Sequence, residues 1–219
     1  MKRVLEQEIM NNFESICAFA DADFSKLYQM IIDKIEECFG EQQFYNILDL
    51  GCGPGALSCK LLSVYEDAVL YGIDGSENML KQAKHNIERA GVSNRVNLYL
   101  DVLPGTVLPN INYDLIHASN LLHHLSDPNV LWETIKLYGE KGTRVFVMDP
   151  IRPESEDIAR DIVNRVSKEE NEIMKSDHLN SLLASFTFDE VLGQLKKNKL
   201  DSTLHITKLK SHIIISGCL

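Results

Sequence analysis

The segment Ile47-Leu48-Asp49-Leu50-Gly51-Cys52-Gly53-Pro54-Gly55-Ala56 narrows the fold of this chain more than any other. Ile47, Leu48 and Leu50 give its first half the apolar character of a strand buried on both faces, as in a parallel sheet. Gly51, Gly53 and Gly55 then leave the backbone bare at alternate positions, so that a bound molecule can lie directly against it. Pro54 has a fixed φ suited to the first turn of the helix that follows. A buried strand, a glycine turn and a helix in this order open a βαβ unit, whose ligands bind outside the carboxyl ends of the strands.

The rest of the chain keeps that rhythm. Strands are predicted over 44–50, 68–74, 95–100, 113–118 and 143–149, with helices over 55–66, 76–90 and 128–138. Ser76 and Gly91 bound the second of these helices, and Ser126 or Asp127 is placed to cap the third ahead of Pro128. Such alternation implies a parallel sheet with helices on both faces. Residues 2–40 read as two helices with a break near Asp21-Ala22-Asp23, and Ile31, Ile32, Ile35 and Phe39 recur at helical spacing before Gly40. After Pro153, candidate helices near 154–167, 169–184 and 188–199 precede two strand-like runs, 202–207 and 212–216.

Asp49 gives the glycine turn its chemistry. Read from Gly51 with Ala56 in last place, the turn satisfies the relaxed dinucleotide fingerprint, and no G-K-[ST] follows to make it a P-loop. A carboxylate aimed into that turn repels a pyrophosphate and suits a ligand carrying positive charge, which favours a sulfonium amino-acid cofactor over NAD. The second strand ends at Asp74, 23 residues after Gly51, where an acid can accept both hydroxyls of a ribose. Ser76 leaves Asp74 free of the capping role.

With Asp49, Gly51, Gly53 and Gly55 in the pattern D/E-x-G-x-G-x-G, the chain resembles the class I S-adenosylmethionine-dependent methyltransferases. The tract Leu122-His123-His124-Leu125-Ser126-Asp127-Pro128 is similar to that of the ubiquinone/menaquinone-biosynthesis-type small-molecule enzymes. The resemblance implies a doubly wound, Rossmann-like, mostly parallel seven-stranded sheet, to which this chain adds helices at the N-terminus and, beyond the single helix typical of the family, after strand five. It implies S-adenosylmethionine as cofactor and S-adenosylhomocysteine as product. It places Asp101 on the adenine amine with Val102 against the ring, Ser119 and Asn120 on the methionine part, and Cys52, Gly75 and Met79 beside them. With no internal repeat, low-complexity tract or linker, the chain reads as a single domain, 1–219, made of an N-terminal helical lid (1–40), a cofactor core (44–150), a helical insertion on the substrate side (151–200) and closing strands (201–219). The N/D-P-P-Y/F tract of enzymes that methylate adenine in nucleic acids does not stand at Ser119-Asn120-Leu121-Leu122.

Candidate substrate residues lie at the same strand ends. His124 is the candidate catalytic base, with His123 beside it. No third or fourth ligand stands near this pair in sequence, so no metal is expected. Asp149 and Arg152 follow the fifth strand; the arginine either grips a substrate carboxylate or forms an ion pair with the aspartate. Phe19 and Tyr28 are candidate pocket aromatics in the lid.

The expected acceptor is a small molecule. The formal charge of −10 weighs against nucleic acid, since phosphate contacts carry most of that affinity. A protein or RNA methyltransferase, and a non-catalytic cofactor-binding protein, are the alternatives. Five cysteines without a C-x-x-C pair, no signal-peptide pattern and no apolar stretch of membrane-spanning length lead to the expectation of a cytoplasmic protein. The oligomeric state is not readable from the sequence.

Overall fold

The computed structural model describes residues 1–6, 24–105, 107–109 and 111–219. The element order is α1 (Ser25–Phe39), β1 (Asn46–Leu50), α2 (Ala56–Val64), β2 (Val69–Asp74), α3 (Glu77–Ala90), β3 (Val96–Leu100), β4 (Leu115–Ser119), α4 (Asn129–Tyr138) and β5 (Arg144–Pro150). Helices α5 (Glu156–Val166), α6 (Glu172–Ala184) and α7 (Phe188–Asn198) follow, then β6 (Leu204–Lys208) and β7 (His212–Cys218). Short 3-10 turns cover Ser93–Arg95 and Leu122–His124.

The seven strands form one sheet in the order β3-β2-β1-β4-β5-β7-β6. The first five are parallel, and β7 enters antiparallel between β5 and β6. The order reverses between β1 and β4, and this crevice is where a doubly wound sheet takes its ligand. The expected Rossmann-like architecture with helices on both faces is the one observed, and the three helices read after Pro153 are α5, α6 and α7. Of the two helices read before residue 40, the described residues contain α1 alone; Met1–Glu6 form neither helix nor strand, and 7–23 lie outside the described residues.

Local chemistry explains the boundaries. Ser76 Oγ accepts the Met79 N–H to start α3, and Gly91 closes it in the left-handed conformation at φ 69°. Ahead of α4, Asp127 Oδ1 accepts the Asn129 N–H at 3.0 Å, and Pro128 stands at the helix start. Thr187 and Glu190 form a reciprocal capping box on α7.

Each face of the sheet carries its own core. On one face Leu48, Leu50, Ile116, Val145 and Val147 pack with Trp132 of α4 and Val191 and Leu195 of α7. There Trp132 Nε1 donates to Gln194 Oε1 at 3.0 Å, so the indole N–H is satisfied where it is fully buried. On the other face Ile47, Leu70, Leu115 and Phe146 pack with Ile31, Ile32 and Ile35 of α1 and Leu61 and Leu62 of α2. Burial on both faces is why the central strands read as continuous apolar runs. Among the described residues no helix is long and apolar enough to cross a membrane.

Candidate active site

A cavity of about 820 Å³ opens at the carboxyl ends of β1, β2 and β4, walled also by residues of α1, α5 and α6. The glycine turn forms its floor. Gly51 N and Cys52 N both donate to the Ile73 carbonyl at 2.9 Å, which ties the turn to β2. The three glycines share a positive φ but differ in what surrounds them. A Cβ at Gly51 would lie 2.8 Å from Leu121 Cδ1, and one at Gly55 would lie 3.1 Å from Ala83 Cβ. At Gly53, φ 53°, a Cβ would meet nothing within 4 Å. Gly53 therefore presents bare backbone to open space, and Gly51 also lines the cavity. Gly55, expected on the cofactor, instead lets α2 approach α3 and is not part of the cavity wall.

Asp49 lines the cavity but is 2% exposed and firmly held. Its Oδ2 accepts the Ser58 hydroxyl at 2.6 Å, and its Oδ1 lies 2.8 Å from His117 Nδ1. Asp49 and His117 are register partners on β1 and β4, so sheet pairing itself brings them together. A carboxylate only accepts, so His117 Nδ1 donates to it. In the neutral imidazole Nε2 is then left to accept the Ser119 hydroxyl, 2.8 Å away. The chain Asp49–His117–Ser119 carries acceptor character to the cavity wall and leaves the Ser119 lone pairs facing outward. Asp49 thus acts on the turn through its charge and through Ser119, with both of its oxygens already engaged. Tyr28 of α1, a sequence candidate, lines the cavity as well; burial and the nearby Asp49 charge push its hydroxyl up to about 12.

Asp74 receives two backbone N–H groups, from Gly53 on Oδ2 and from Ser76 on Oδ1, each at 2.8 Å. Burial pushes its carboxyl upward against these two donors, and Gly75 and Met79 line the wall beside it. The Cys52 thiol is pushed well up by burial and then by the Asp49 and Asp74 charges, which makes it an inert wall residue. Asp101 does not reach the cavity: its Oδ1 accepts the Val102 N–H at 2.8 Å, and Val102 and Leu103 form the wall instead. Asn120 lines the mouth in the left-handed region at φ 54°, a conformation that costs a non-glycine residue energy and is enriched at functional sites.

At the far end stand His123 and His124. His123 is 2% exposed, and its Nδ1 lies 3.0 Å from Asp149 Oδ2. Asp149 also accepts the backbone N–H groups of Leu122 and His123, each at 3.1 Å. Burial works against the imidazolium of His123, but the Asp149 charge and hydrogen bond outweigh it and hold the pKa above the usual value. Asp149, a candidate substrate contact from sequence, is therefore a buried support for the histidine loop and does not line the cavity. Arg152 departs from expectation too. It is 8% exposed, donates to the Ser185 carbonyl at 3.2 Å and to Glu190 Oε1 at 2.7 Å, and pairs with neither Asp149 nor the cavity. Phe19 lies outside the described residues.

Several residues here carried no signal as single positions. His117 sat unnoticed inside an apolar strand; only aligning the strands would have set it against Asp49. Glu6 approaches from the N-terminus, with Oε2 lying 3.5 Å from His124 Nδ1 and 3.8 Å from His123 Nε2. Arg3 precedes it, stacked 3.9 Å over the Phe186 ring and donating to the carbonyls of Ala184, His123 and Leu125. Among the described residues the cavity wall carries Asp49, Asp74, Asp127, Glu170 and Asp177 but a single Lys/Arg side chain, Lys26. That balance opposes a phosphate-rich or carboxylate ligand over most of the wall.

A family model described as a methyltransferase domain matches residues 41–208. Among curated relatives, the ubiquinone biosynthesis O-methyltransferase of Bordetella avium is 27% identical over 151 residues, 65% of this chain and 60% of that protein. An rRNA N(6)-adenosine-methyltransferase of Caenorhabditis elegans is 31% identical over 96 residues, 43% of this chain and 44% of that one. The match to an uncharacterised protein of Synechococcus reaches 20% of its length, so the chain spans between a fifth and three fifths of these relatives. A SAM-dependent methyltransferase from Aquifex aeolicus superposes with a TM-score of 0.68 at 18% identity, covering 94% of this chain and 98% of that one. A plantazolicin methyltransferase solved with SAH and a triazolic desmethylPZN analogue gives 0.69 at 14% identity, covering 93% and 89%. At these identities the two structures establish the fold.

Proposed function

Because the chain belongs to the methyltransferase-domain family, we propose that it transfers a methyl group from S-adenosylmethionine to a small, uncharged or cationic acceptor held in the cavity. The observation that carries this reading is the glycine turn, where Gly53 has open space at its missing Cβ and stands between two acids, Asp49 and Asp74. These residues fit a nucleoside with a positively charged amino-acid arm. Asp74, with lone pairs remaining beyond its two backbone donors, accepts ribose hydroxyls. Val102 and Leu103 offer apolar surface to a base, and the outward lone pairs of Ser119 accept an ammonium.

When bound, S-adenosylmethionine supplies an activated methyl group for in-line displacement. The chain's own task is then to orient the acceptor, exclude water and keep its charges complementary. Tyr28 and Leu27 of α1 and Ile162 of α5 wall the cavity, and Met174 and Leu182 of α6 add apolar surface. The acidic wall and the committed Arg152 favour an acceptor without a carboxylate or phosphate, which also weighs against RNA. Residues 1–40 are proposed as a lid and 151–200 as the acceptor-side wall of the same domain.

Calorimetric titration with S-adenosylmethionine, S-adenosylhomocysteine and NAD checks the cofactor, with binding of the first two expected; preferential binding of NAD would overturn the reading. A labelled-methyl screen of metabolite pools against protein and RNA then checks the acceptor class. Label in RNA alone would replace the small-molecule reading.

A further inference from the structure

We propose that Glu6, His123 and His124 form a binding site for a first-row divalent cation at the acceptor end of the cavity. The donors are Glu6 Oε2, His123 Nε2 and His124 Nδ1. The carboxylate oxygen is 3.8 Å from the first imidazole nitrogen and 3.5 Å from the second, and all three atoms lie within 4.8 Å of one another. Ligands about 2.1 Å from a metal lie about 3.0–3.4 Å apart. The Glu6 oxygen needs to approach by less than about 1 Å, which its rotatable side chain can supply, and the two imidazole nitrogens must close by up to roughly 1.5 Å through rotation of the partly exposed His124 ring.

The surroundings are those of a ligating histidine. His123 must present a lone pair at Nε2, which requires its proton on Nδ1. Asp149 fixes that tautomer: it is 1% exposed, pinned by the N–H groups of Leu122 and His123, and it faces Nδ1 at 3.0 Å. A carboxylate behind the imidazole, setting the tautomer and ring orientation, is the usual support of a metal ligand. The 3-10 turn Leu122–His124 holds the two rings 4.2 Å apart at 36°. The third ligand missing from the local sequence is Glu6, more than a hundred positions earlier in the chain.

Charge points the same way. Asp149 and Asp177 both act electrostatically on Glu6, opposed by His123, and Arg3 acts on His123. Ser181 Oγ donates to Glu6 Oε2 at 3.4 Å, a neutral contact that offsets none of this charge. Arg3 turns its guanidinium to three carbonyls and the Phe186 ring. With His123 neutral, as a ligand must be, a divalent cation adds positive charge among these carboxylates, and two imidazoles with one carboxylate suit Zn²⁺, Co²⁺, Fe²⁺ or Mn²⁺. Three protein ligands leave coordination positions open, and His123 and His124 both line the cavity.

The consequence for catalysis, unlike the site itself, rests on the methyltransferase reading. An acceptor hydroxyl coordinated there releases its proton to solvent more readily. Its oxygen pair then forms the O–CH₃ bond while the C–S bond breaks and its electron pair returns to sulfur, leaving the neutral thioether. His124 then serves as a ligand, in place of the lone base expected from sequence.

The test uses the untagged chain, stripped with a chelator and titrated with Co²⁺, whose visible absorption reports coordination. One equivalent is expected to bind, with Zn²⁺ displacing it. E6Q and H124Q should each weaken binding at least tenfold, and D149N about 10–100-fold as expected for the carboxylate behind a ligand. Circular dichroism and S-adenosylhomocysteine titration show that each variant is folded. No saturable Co²⁺ binding by the wild type, or E6Q binding as tightly as the wild type, would overturn the site. Metal binding without S-adenosylhomocysteine binding would leave the site standing and remove the methyltransferase reading; the converse would do the opposite.

Discussion

His117→Phe probes the buried relay beneath the cavity. The substitution keeps a planar ring next to Phe146, on which His117 stacks with an interplanar angle of 9°. It removes the 2.8 Å contacts to Asp49 and Ser119 and leaves Asp49, at 2% exposure, with Ser58 as its remaining side-chain partner. A hydrogen bond to a charged group is worth about 1.5–3 kcal/mol, and a buried acceptor that loses its donor carries a desolvation penalty of similar size. Ser119 is half-exposed and finds other donors and acceptors at the cavity wall, so its loss adds little to stability. The expected destabilisation is therefore about 2–3 kcal/mol, which at about 2–4 °C per kcal/mol for a chain this size lowers Tm by roughly 4–12 °C. Urea denaturation followed by circular dichroism reads the change as a lower midpoint at constant m. A cycle with Asp49→Asn isolates the pair, with an expected coupling of about 1.5 kcal/mol or more. Because Ser119 loses its orienting acceptor, S-adenosylhomocysteine binding should weaken about tenfold, near 1.4 kcal/mol. Additive single effects, or an H117F protein as stable as the wild type, would refute the relay.

The glycine turn separates packing from binding. G53A should cost only the roughly 1–2 kcal/mol of a left-handed alanine while sharply weakening S-adenosylhomocysteine binding, because its new methyl enters open space in the cavity. G55A should cost more stability, since the methyl lands 3.1 Å from Ala83, with a smaller effect on binding; calorimetry and denaturation read both. R152K should lower Tm through the lost contacts to Ser185 and Glu190, about 1–2 kcal/mol, and leave the acceptor KM unchanged; a raised KM at unchanged Tm would restore Arg152 to the acceptor site. Burial lowers the pKa of His178, so the folded state binds its proton more weakly than the unfolded chain does. Its contribution is constant above the unfolded value of about 6.5 and turns increasingly unfavourable as pH falls from there toward the folded pKa. Denaturation at descending pH should accordingly show H178Q losing less stability than the wild type; identical slopes would exclude this assignment.

The order of strands and helices was legible because their physics is local. Apolar runs such as Ile47–Leu50 and Val145–Met148 are continuous because both faces of the sheet are covered, and Ser76, Gly91 and Gly40 mark helix ends by their own conformational preferences. The positions of Asp49 and Asp74 at strand ends and of the bare backbone at Gly53 followed from the same reading. Gly55 and Asp101 stand off the cavity wall, because a turn motif fixes backbone direction and leaves open which atoms face the cavity; Gly55 lies against Ala83, and Asp101 accepts the Val102 N–H.

From the sequence alone came the βαβ frame and the glycine turn that follows Asp49. The tertiary structure decided the partners. Register between β1 and β4 set His117 on Asp49, the β5–α7 packing gave Arg152 to Glu190, and the N-terminal segment carried Glu6 to the His123–His124 pair. Periodicity and turn chemistry act over a few residues, whereas a carboxylate seeking its buried partner acts through space. The turn at Gly51–Gly55 could therefore be read from the chain, and the acceptor end had to be seen folded.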